Sequence, residues 1–471
     1  MPESRTFELV VIGAGPGGYA AAFLAADLGM QVALVDLDVN PGGVCLYRGC
    51  IPSKALLHVA KLVTESREAE RWGVHFDAPR IDLERLRAWK DEVVGKLTGG
   101  LGQLARQRKI TFVQGRATLT GPTSLSVESA AGTEQINFAH AIVATGSRPA
   151  TIPSLDISSP RVMDSTGALA LEDIPGSLLV VGGGYIGLEM GSVYAALGSR
   201  VTVVEMTDGL LPGADRDLVT PLAKRLGGAF EAMLLSTTVT GMRDTGTGVA
   251  VTLRSAAGEE ERVFDKVLVS IGRKPNTAGL GLEHTRVVVG TRGFIEVNAQ
   301  MRTAEPTIFA IGDIVGEPQL AHKASHEGRV AVEVIAGHKV AFEPRAIPAV
   351  VFTDPEIAWA GLTETRAKLE GIEVKVARFP WAASGRATTL DRFDGVTKLV
   401  LDAATERVLG VGICGPGAGE LIAEGTLAIE MGAVARDLAL TIHPHPTLSE
   451  TVMESAEVFF GTATHLYRPR R

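Results

Sequence analysis

The stretch that decides the fold is Leu9-Val10-Val11-Ile12-Gly13-Ala14-Gly15-Pro16-Gly17-Gly18. Four apolar residues run into a glycine-rich turn, and an alanine-rich segment of helical character follows to about Leu28. A second apolar run, Val32-Ala33-Leu34-Val35, ends at Asp36. Strand, turn, helix, strand and acid in that order are the fingerprint of a dinucleotide-binding βαβ unit. Gly13 suits a tight turn, Gly15 lets the backbone approach a pyrophosphate, and Gly18 permits close helix–strand packing. The helix N-terminus then faces the phosphates.

The pattern returns at Leu178-Leu179-Val180-Val181, which runs into Gly182-Gly183-Gly184-Tyr185-Ile186-Gly187. A helix is expected to about Leu197, and Val201-Thr202-Val203-Val204 then ends at Glu205. The separation from first glycine to acid, Gly13 to Asp36 and Gly182 to Glu205, is 23 residues in both copies. One such motif is weak evidence, whereas two in full context call for two dinucleotides. A carboxylate accepts hydrogen bonds from a free ribose diol and repels a 2′-phosphate. No arginine closes the second strand, so that unit is expected to take NAD rather than NADP.

The chain has 471 residues, enough for about three domains. Its hydrophobic fraction of 45% and charged fraction of 21% are those of an ordinary globular protein. A net charge of −8 gives no reason to expect a nucleic acid or polyanion partner. The polar start, Met1 to Glu8, lacks the basic and apolar regions of a signal peptide, and Leu9 is expected to open the first strand. No apolar run is long enough for a membrane helix, and Arg468-Pro469-Arg470-Arg471 reads as a solvated tail. The expected setting is a reducing, cytoplasmic one with no membrane partner. Val267–Asn276 is expected to be a strand entering a loop, Thr307–Asp313 a strand, Ala324–Ala336 a helix, and the stretch near Glu343 to Pro348 a linker.

Only three cysteines occur, and two stand five positions apart in Gly42-Gly43-Val44-Cys45-Leu46-Tyr47-Arg48-Gly49-Cys50-Ile51-Pro52-Ser53-Lys54. Scarce thiols paired at short range in a reducing compartment point to redox chemistry. In a regular helix such residues are roughly 8–9 Å apart and point away from each other. A disulfide needs about 4.4–6.8 Å between Cα atoms, so a bond requires a broken helix. Gly42, Gly43 and Gly49 supply that freedom, and Pro52 suits the first turn of a resumed helix. Lys54, one turn beyond Cys50, is placed to stabilise a thiolate. Two free thiols in a turn beside a surface lysine is the alternative that these residues leave open.

Near the C-terminus, His443-Pro444-His445-Pro446-Thr447-Leu448-Ser449-Glu450 offers a proton carrier for thiol–disulfide exchange. Glu450 could orient the imidazole. A histidine shaped by turn prolines and without chemistry is the competing reading. Cys414, in an apolar strand, reads as a buried structural thiol. No metal-ligand spacing occurs, and no hydrolase nucleophile elbow.

Taken together these motifs resemble the flavin disulfide reductases, and within them the branch that oxidises dihydrolipoyl groups. The resemblance runs from Val10 to about Phe460. Besides the fingerprints and the Cys45–Cys50 run, its carriers are Ala144-Thr145-Gly146-Ser147-Arg148-Pro149, Glu189, Phe309-Ala310-Ile311-Gly312-Asp313, Leu320-Ala321-His322-Lys323-Ala324, His445-Pro446-Thr447 and Glu450. It implies an α/β fold with two Rossmann-like dinucleotide-binding domains and an α+β C-terminal dimerisation domain. The implied boundaries are 1–150 and 276–347 for the two parts of the FAD domain, 151–275 for the NAD domain and 348–471 for the interface domain. FAD is expected on Gly13, Gly15, Gly18, Asp36, Lys54, Ala117, Thr145, Gly146, Asp313 and Ala321. NAD is expected on Gly182, Gly183, Gly184, Tyr185, Ile186, Gly187, Glu205, Val239, Ser270 and Gly272.

The resemblance further implies that Cys45 exchanges with the substrate and that Cys50 sits against the flavin. Lys54 and Glu189 would pair beside it. His445, held by Glu450 and joined to Pro446 by a bond that is often cis in the family, would come from the other subunit of a homodimer. The expected partner is a lipoyl-carrying acyltransferase core or lipoyl carrier protein of a 2-oxo acid dehydrogenase or glycine cleavage complex. A glutathione-type reductase, a mercuric reductase-like enzyme and a mainly structural subunit of such a complex are the alternatives. Glu205 speaks against the first, the lack of a C-terminal cysteine pair against the second, and the complete set of redox residues against the third. Two residues depart from the family pattern. Tyr47-Arg48 replaces the usual Asn-Val, which puts a cation beside the disulfide either to lower a thiolate titration or to favour an acidic partner, and Pro444 replaces alanine.

Overall fold

The computed structural model describes residues 5–467. Residues 1–4 and the basic end Arg468–Arg471, read above as a tail, lie outside them. The first sheet has the spatial order Thr111–Gln114, Val32–Asp36, Arg5–Ile12, Gly132–Val143, Ser124–Ser129, Arg116–Gly121, and Ile308–Ala310 also pairs with Gly132–Val143. Pairings around the fingerprint are parallel, with Val10 opposite Ala33 and Ala141. The strands at Arg116 and Ser124 join as an antiparallel hairpin. Leu9, Val10 and Val11 are fully buried, as a strand covered on both faces requires. The first strand begins at Arg5, four residues before Leu9, because the long neighbour Gly132–Val143 also pairs with Arg5 to Phe7.

The alanine-rich helix Pro16–Asp27 lies on this sheet and packs against helix Ala321–Ile335. Small residues set the spacing: a Cβ on Gly17 would come 2.9 Å from the Ala324 carbonyl oxygen, and one on Gly328 would come 2.7 Å from that of Gly17. The later helix starts at Ala321, three residues before the expected Ala324. The strand expected at Thr307–Asp313 is only Ile308–Ala310, since Gly312, at φ +80°, turns the chain into a short 3₁₀ turn.

The second unit repeats the plan in a separate parallel sheet, ordered Ala232–Leu234, Arg200–Val204, Ser177–Val181, Lys266–Val269, Val162–Met163. An antiparallel sheet of Thr238–Asp244, Val249–Ser255 and Gly258–Phe264 covers it. The strand expected to enter a loop over Val267–Asn276 is Lys266–Val269 in this sheet, and the expected loop carries a short strand, Arg273–Pro275, that pairs with Ser147–Pro149. Gly272, at φ +112°, makes the turn between them. The irregular stretch before Ala349 leads to a five-stranded antiparallel sheet from Ala349 to Cys414, packed by helices Ala418–Met431 and Glu450–Phe460. Cys414 is fully buried within it. Among the described residues, no helix is long and apolar enough to cross a membrane.

Candidate active site

A cavity of about 520 Å³ runs along the C-terminal ends of the first sheet, where open α/β sheets bind ligands. Gly13, at φ +99°, makes the sharp turn, and a Cβ there would lie 2.4 Å from the Ala144 carbonyl oxygen. Gly15 has only Gly43 Cα at 4.0 Å, so its backbone is open to a ligand. Gly18 does not line the cavity; its Cβ would lie 1.8 Å from the Gly13 carbonyl oxygen, so it serves packing. Helices Pro16–Asp27 and Ala321–Ile335 both open toward the cavity without a side-chain cap. Their free N–H groups and positive ends favour an anionic ligand. The glycine cradle, two uncapped helix ends and the acid of Asp36 fit the dinucleotide FAD.

The two thiols lie in the same cavity. Helix Gly43–Arg48 carries Cys45, and helix Cys50–Glu68 begins at the second cysteine. Gly49 breaks the run between them at φ −147°, ψ −116°. A Cβ on Gly49 would sit 2.8 Å from the Val44 carbonyl oxygen, so only glycine fits this close turn. Cys45 and Cys50 stand as free thiols. Their titrations are driven apart. Cys50 falls to about 7, chiefly because Cys45 hydrogen-bonds to its sulfur; burial opposes the shift and Lys54 assists it. Cys45 is pushed strongly upward by the same hydrogen bond and by burial. Of the two thiols, Cys50 is therefore the one more readily ionised, with Cys45 as its S–H donor.

Lys54 Nζ lies 2.9 Å from the Glu189 carboxylate. Glu189 is 3% exposed and also accepts from Ser53 Oγ at 2.9 Å and the Phe352 N–H at 3.0 Å. Lys54 stands 4.5 Å over the Phe352 ring as well. One carboxylate thus ties the thiol helix, the second fingerprint helix and the C-terminal sheet together. Its full donor set is what makes a buried charge tolerable. The sequence reading missed Ser53 as a functional contact, although it stands beside Lys54, and missed Phe352, which no local motif marks.

Asp36 accepts hydrogen bonds from the Ala14 and Asp38 N–H groups, and burial outweighs them to raise its titration. Ala117, Thr145, Gly146, Asp313 and Ala321 line the cavity with it. Ser147 bridges Asp313 and Arg273, and Thr145 is locked to Asn276. Glu327, whose titration burial raises, accepts from Gly312 N–H at 2.7 Å and pairs with Lys323 at 2.7 Å, which fixes the turn carrying Asp313.

Of the residues expected on NAD, Tyr185 and Ile186 reach this cavity, whereas Gly182, Gly183, Gly184, Gly187, Glu205, Val239, Ser270 and Gly272 do not. The latter stand on and around the second fingerprint's own strands and turn. Gly182 turns at φ +110°, and a Cβ on it would meet the Ser270 carbonyl oxygen at 2.5 Å. Glu205 accepts from Gly183 N–H at 2.7 Å and from Thr207 N–H at 2.8 Å. Gly184 caps helix Tyr185–Leu197 with open space before it, so these residues fit a second dinucleotide. Val239 is buried in its strand, so only its backbone is available to a ligand there.

His445 Nδ1 is 2.9 Å from Glu450 Oε1, while Oε2 of the same carboxylate accepts from Thr447 N–H at 2.8 Å. Burial raises the Glu450 titration, but these contacts outweigh it and hold the acid below its usual range. His445–Pro446 is cis. The imidazole is 70% exposed and does not line the cavity of its own chain. Arg48 overturns an expectation: its guanidinium grips Asp38, with Nη2 to Oδ2 at 2.8 Å, and the cation acting on Cys50 is Lys54. A carboxylate within hydrogen-bond reach attracts a guanidinium more strongly than an initially neutral thiol does.

The family pattern described as pyridine nucleotide-disulphide oxidoreductase matches residues 7–328, and that of its dimerisation domain matches residues 347–456. A curated protein of Vibrio cholerae, named dihydrolipoyl dehydrogenase, is 51% identical over 99% of this chain and 98% of its own length. One of Haemophilus influenzae with the same name is also 51% identical, over 99% and 98%. Among solved structures, LpdA of Mycobacterium tuberculosis superposes with a TM-score of 0.89 at 29% identity, covering 96% of this chain and 99% of that one. The HOCl-induced flavoprotein disulfide reductase RclA of Escherichia coli gives 0.84 at 30% identity, covering 94% and 98%.

Proposed function

The chain belongs to the pyridine nucleotide-disulphide oxidoreductase family, and from that premise we propose that it oxidises protein-bound dihydrolipoyl groups at the expense of NAD⁺. It is a flavoprotein oxidoreductase that uses FAD and NAD. The observation that carries the reading is the polarised thiol pair, a low-titrating Cys50 beside Cys45 and the Lys54–Glu189 ion pair, inside the cavity of the first fingerprint. When bound, FAD supplies two-electron chemistry between a dithiol and a nicotinamide.

The residues divide the rest of the work. Cys45 meets the substrate: a dihydrolipoyl thiolate attacks its sulfur when the pair is a disulfide, and Cys50 leaves as thiolate. Lys54 stabilises that thiolate, and Glu189, anchored by Ser53 and Phe352, keeps Lys54 in place. The second dihydrolipoyl sulfur then closes lipoyl disulfide and releases Cys45 as a thiol. His445 of the partner subunit takes and returns the substrate proton, its Nδ1–H held toward Glu450. Asp36 and Glu205 would each hold a ribose, Asp313 would hold the polyol of the flavin cofactor, and Ala321 would open the helix whose positive end stabilises it.

The dimerisation-domain match at 347–456 and the exposed His445 support a homodimer in which each site is completed by its partner. Residues 1–150 and 276–347 form the FAD domain, 151–275 the NAD domain and 348–471 the interface domain. Ile308–Ala310 joining the first sheet supports that return of the chain. The partner is a lipoyl-carrying core or carrier protein in the cytoplasm. The test is an assay of purified yellow protein with NAD⁺ and dihydrolipoamide, run beside NADPH with oxidised glutathione. NADH formation only in the first is expected; flavin-loaded protein that forms none overturns the reading.

A further inference from the structure

Tyr47 and Arg48, between the two cysteines, are engaged away from the thiols. Tyr47 donates its hydroxyl hydrogen to the Asn40 carbonyl oxygen at 3.2 Å. Arg48 makes a fork with Asp38, Nη1 to Oδ1 at 3.2 Å and Nη2 to Oδ2 at 2.8 Å. Both partners belong to the loop that leaves the first fingerprint strand at Asp36. Within that loop the Asp38 N–H donates to Asp36 Oδ1 at 2.9 Å. The thiol-bearing helix is therefore strapped to the segment carrying the ribose acid.

Asp38 and Arg48 line the same cavity as Asp36, Arg116 and Ala117. A guanidinium has five N–H groups, of which the fork uses two. The Arg48 side chain keeps 38% of its surface free against 19% for Asp38, so the unused donors have room to meet a ligand. Charge points the same way. Asp36 and Asp38 place two carboxylates at the end of a cavity otherwise shaped for an anionic pyrophosphate, and they would repel it. The Arg48 cation paired with Asp38 offsets part of that repulsion. A planar fork also matches phosphate and ribose oxygens better than a point charge does.

We propose that Arg48 is a dinucleotide-binding residue, held by Asp38 so that its remaining N–H groups face the adenosine diphosphate half of FAD. The inference rests on the assignment of FAD to this cavity. The test strips flavin from the full chain and titrates FAD, and separately ADP, at several salt concentrations into wild type, Arg48→Gln and Arg48→Lys, with folding followed by circular dichroism. Arg48→Gln should weaken FAD and ADP about tenfold and flatten the salt dependence of both. Arg48→Lys should keep the salt dependence but not the full affinity. Wild-type affinities in Arg48→Gln, or a loss with unchanged salt dependence, would reduce Arg48 to a brace and overturn the proposal. If Arg48→Gln does not fold, unchanged FAD and ADP affinity in Arg48→Lys overturns it alone. Failure of wild type to take up FAD at all would instead strike the cofactor assignment.

Discussion

The two fingerprints of this chain are near-copies, yet they sit in opposite surroundings. In both, the acid that ends the second strand folds back onto its own glycine loop, Asp36 onto Ala14 N–H and Glu205 onto Gly183 N–H. The first loop is then walled in. Gly43 approaches Gly15, Gly17 abuts Ala324, and the thiol helix closes one side. The second loop is open: Gly184 faces empty space, Tyr185 is 42% exposed and Met206, beside Glu205, is 72% exposed. One motif thus yields an enclosed site suited to a resident cofactor and an open site suited to an exchangeable one. The difference lies in what other segments pack over it, not in the motif.

The sharpest way to separate the halves is through the thiols, which lie on the helices that wall in the first loop. Cys45→Ser should lower dihydrolipoamide-dependent NADH formation by about a thousandfold or more, while NADH oxidation by ferricyanide persists. Equal loss of both would mean that the halves are not separable in this way. Next, Gly13→Ala and Gly182→Ala each force a side chain into left-handed backbone against a carbonyl oxygen, a local cost of about 2–4 kcal/mol. The first should yield protein without flavin. The second should keep its yellow colour and raise KM for NAD⁺ about tenfold or more. Flavin loss in both would show that the second loop also supports the first.

A smaller effect is expected from Lys54→Met. It leaves Glu189 buried with Ser53 and Phe352 as its partners, which costs about 1–3 kcal/mol by thermal or urea unfolding. In wild-type reduced protein, thiolate absorbance should fall as pH drops through about 7, since the Cys45 hydrogen bond, and after it Lys54, hold Cys50 low. Lys54→Met should move that transition upward and Lys54→Arg should restore it. A transition that stays in place would remove Lys54 from the account of the thiolate. The smallest change is expected from Glu205→Gln, which keeps an acceptor for Gly183 N–H: KM for NAD⁺ up about threefold to tenfold, with kcat unchanged. A fall in kcat instead would tie Glu205 to the reaction itself.

Much of this site was legible before any coordinates. Glycines in a tight turn and an acid at a strand end are local requirements, so Gly13, Asp36, Gly182 and Glu205 could be read from spacing. The broken helix between Cys45 and Cys50 followed from the geometry a disulfide demands, and Gly49 is where it breaks. Arg48 was misread because its partner Asp38 stands in a loop with no regular period, and a charge is attracted to whatever acid the loop brings nearest. Phe352 was invisible for a related reason: its backbone N–H and ring matter only because the C-terminal sheet ends against Glu189.

The sequence by itself determined that this protein has two dinucleotide units, a redox-capable cysteine pair with a cation one turn away, and a histidine–glutamate pair near its end. Each is set by backbone conformation or side-chain chemistry within a few residues. Tertiary structure alone decided which thiol ionises more readily, because burial and the Lys54–Glu189–Phe352 junction arise from three segments that are distant in sequence. It also decided that His445 stands exposed and away from the cavity of its own chain. Long-range packing, not the local code, chooses which surfaces meet.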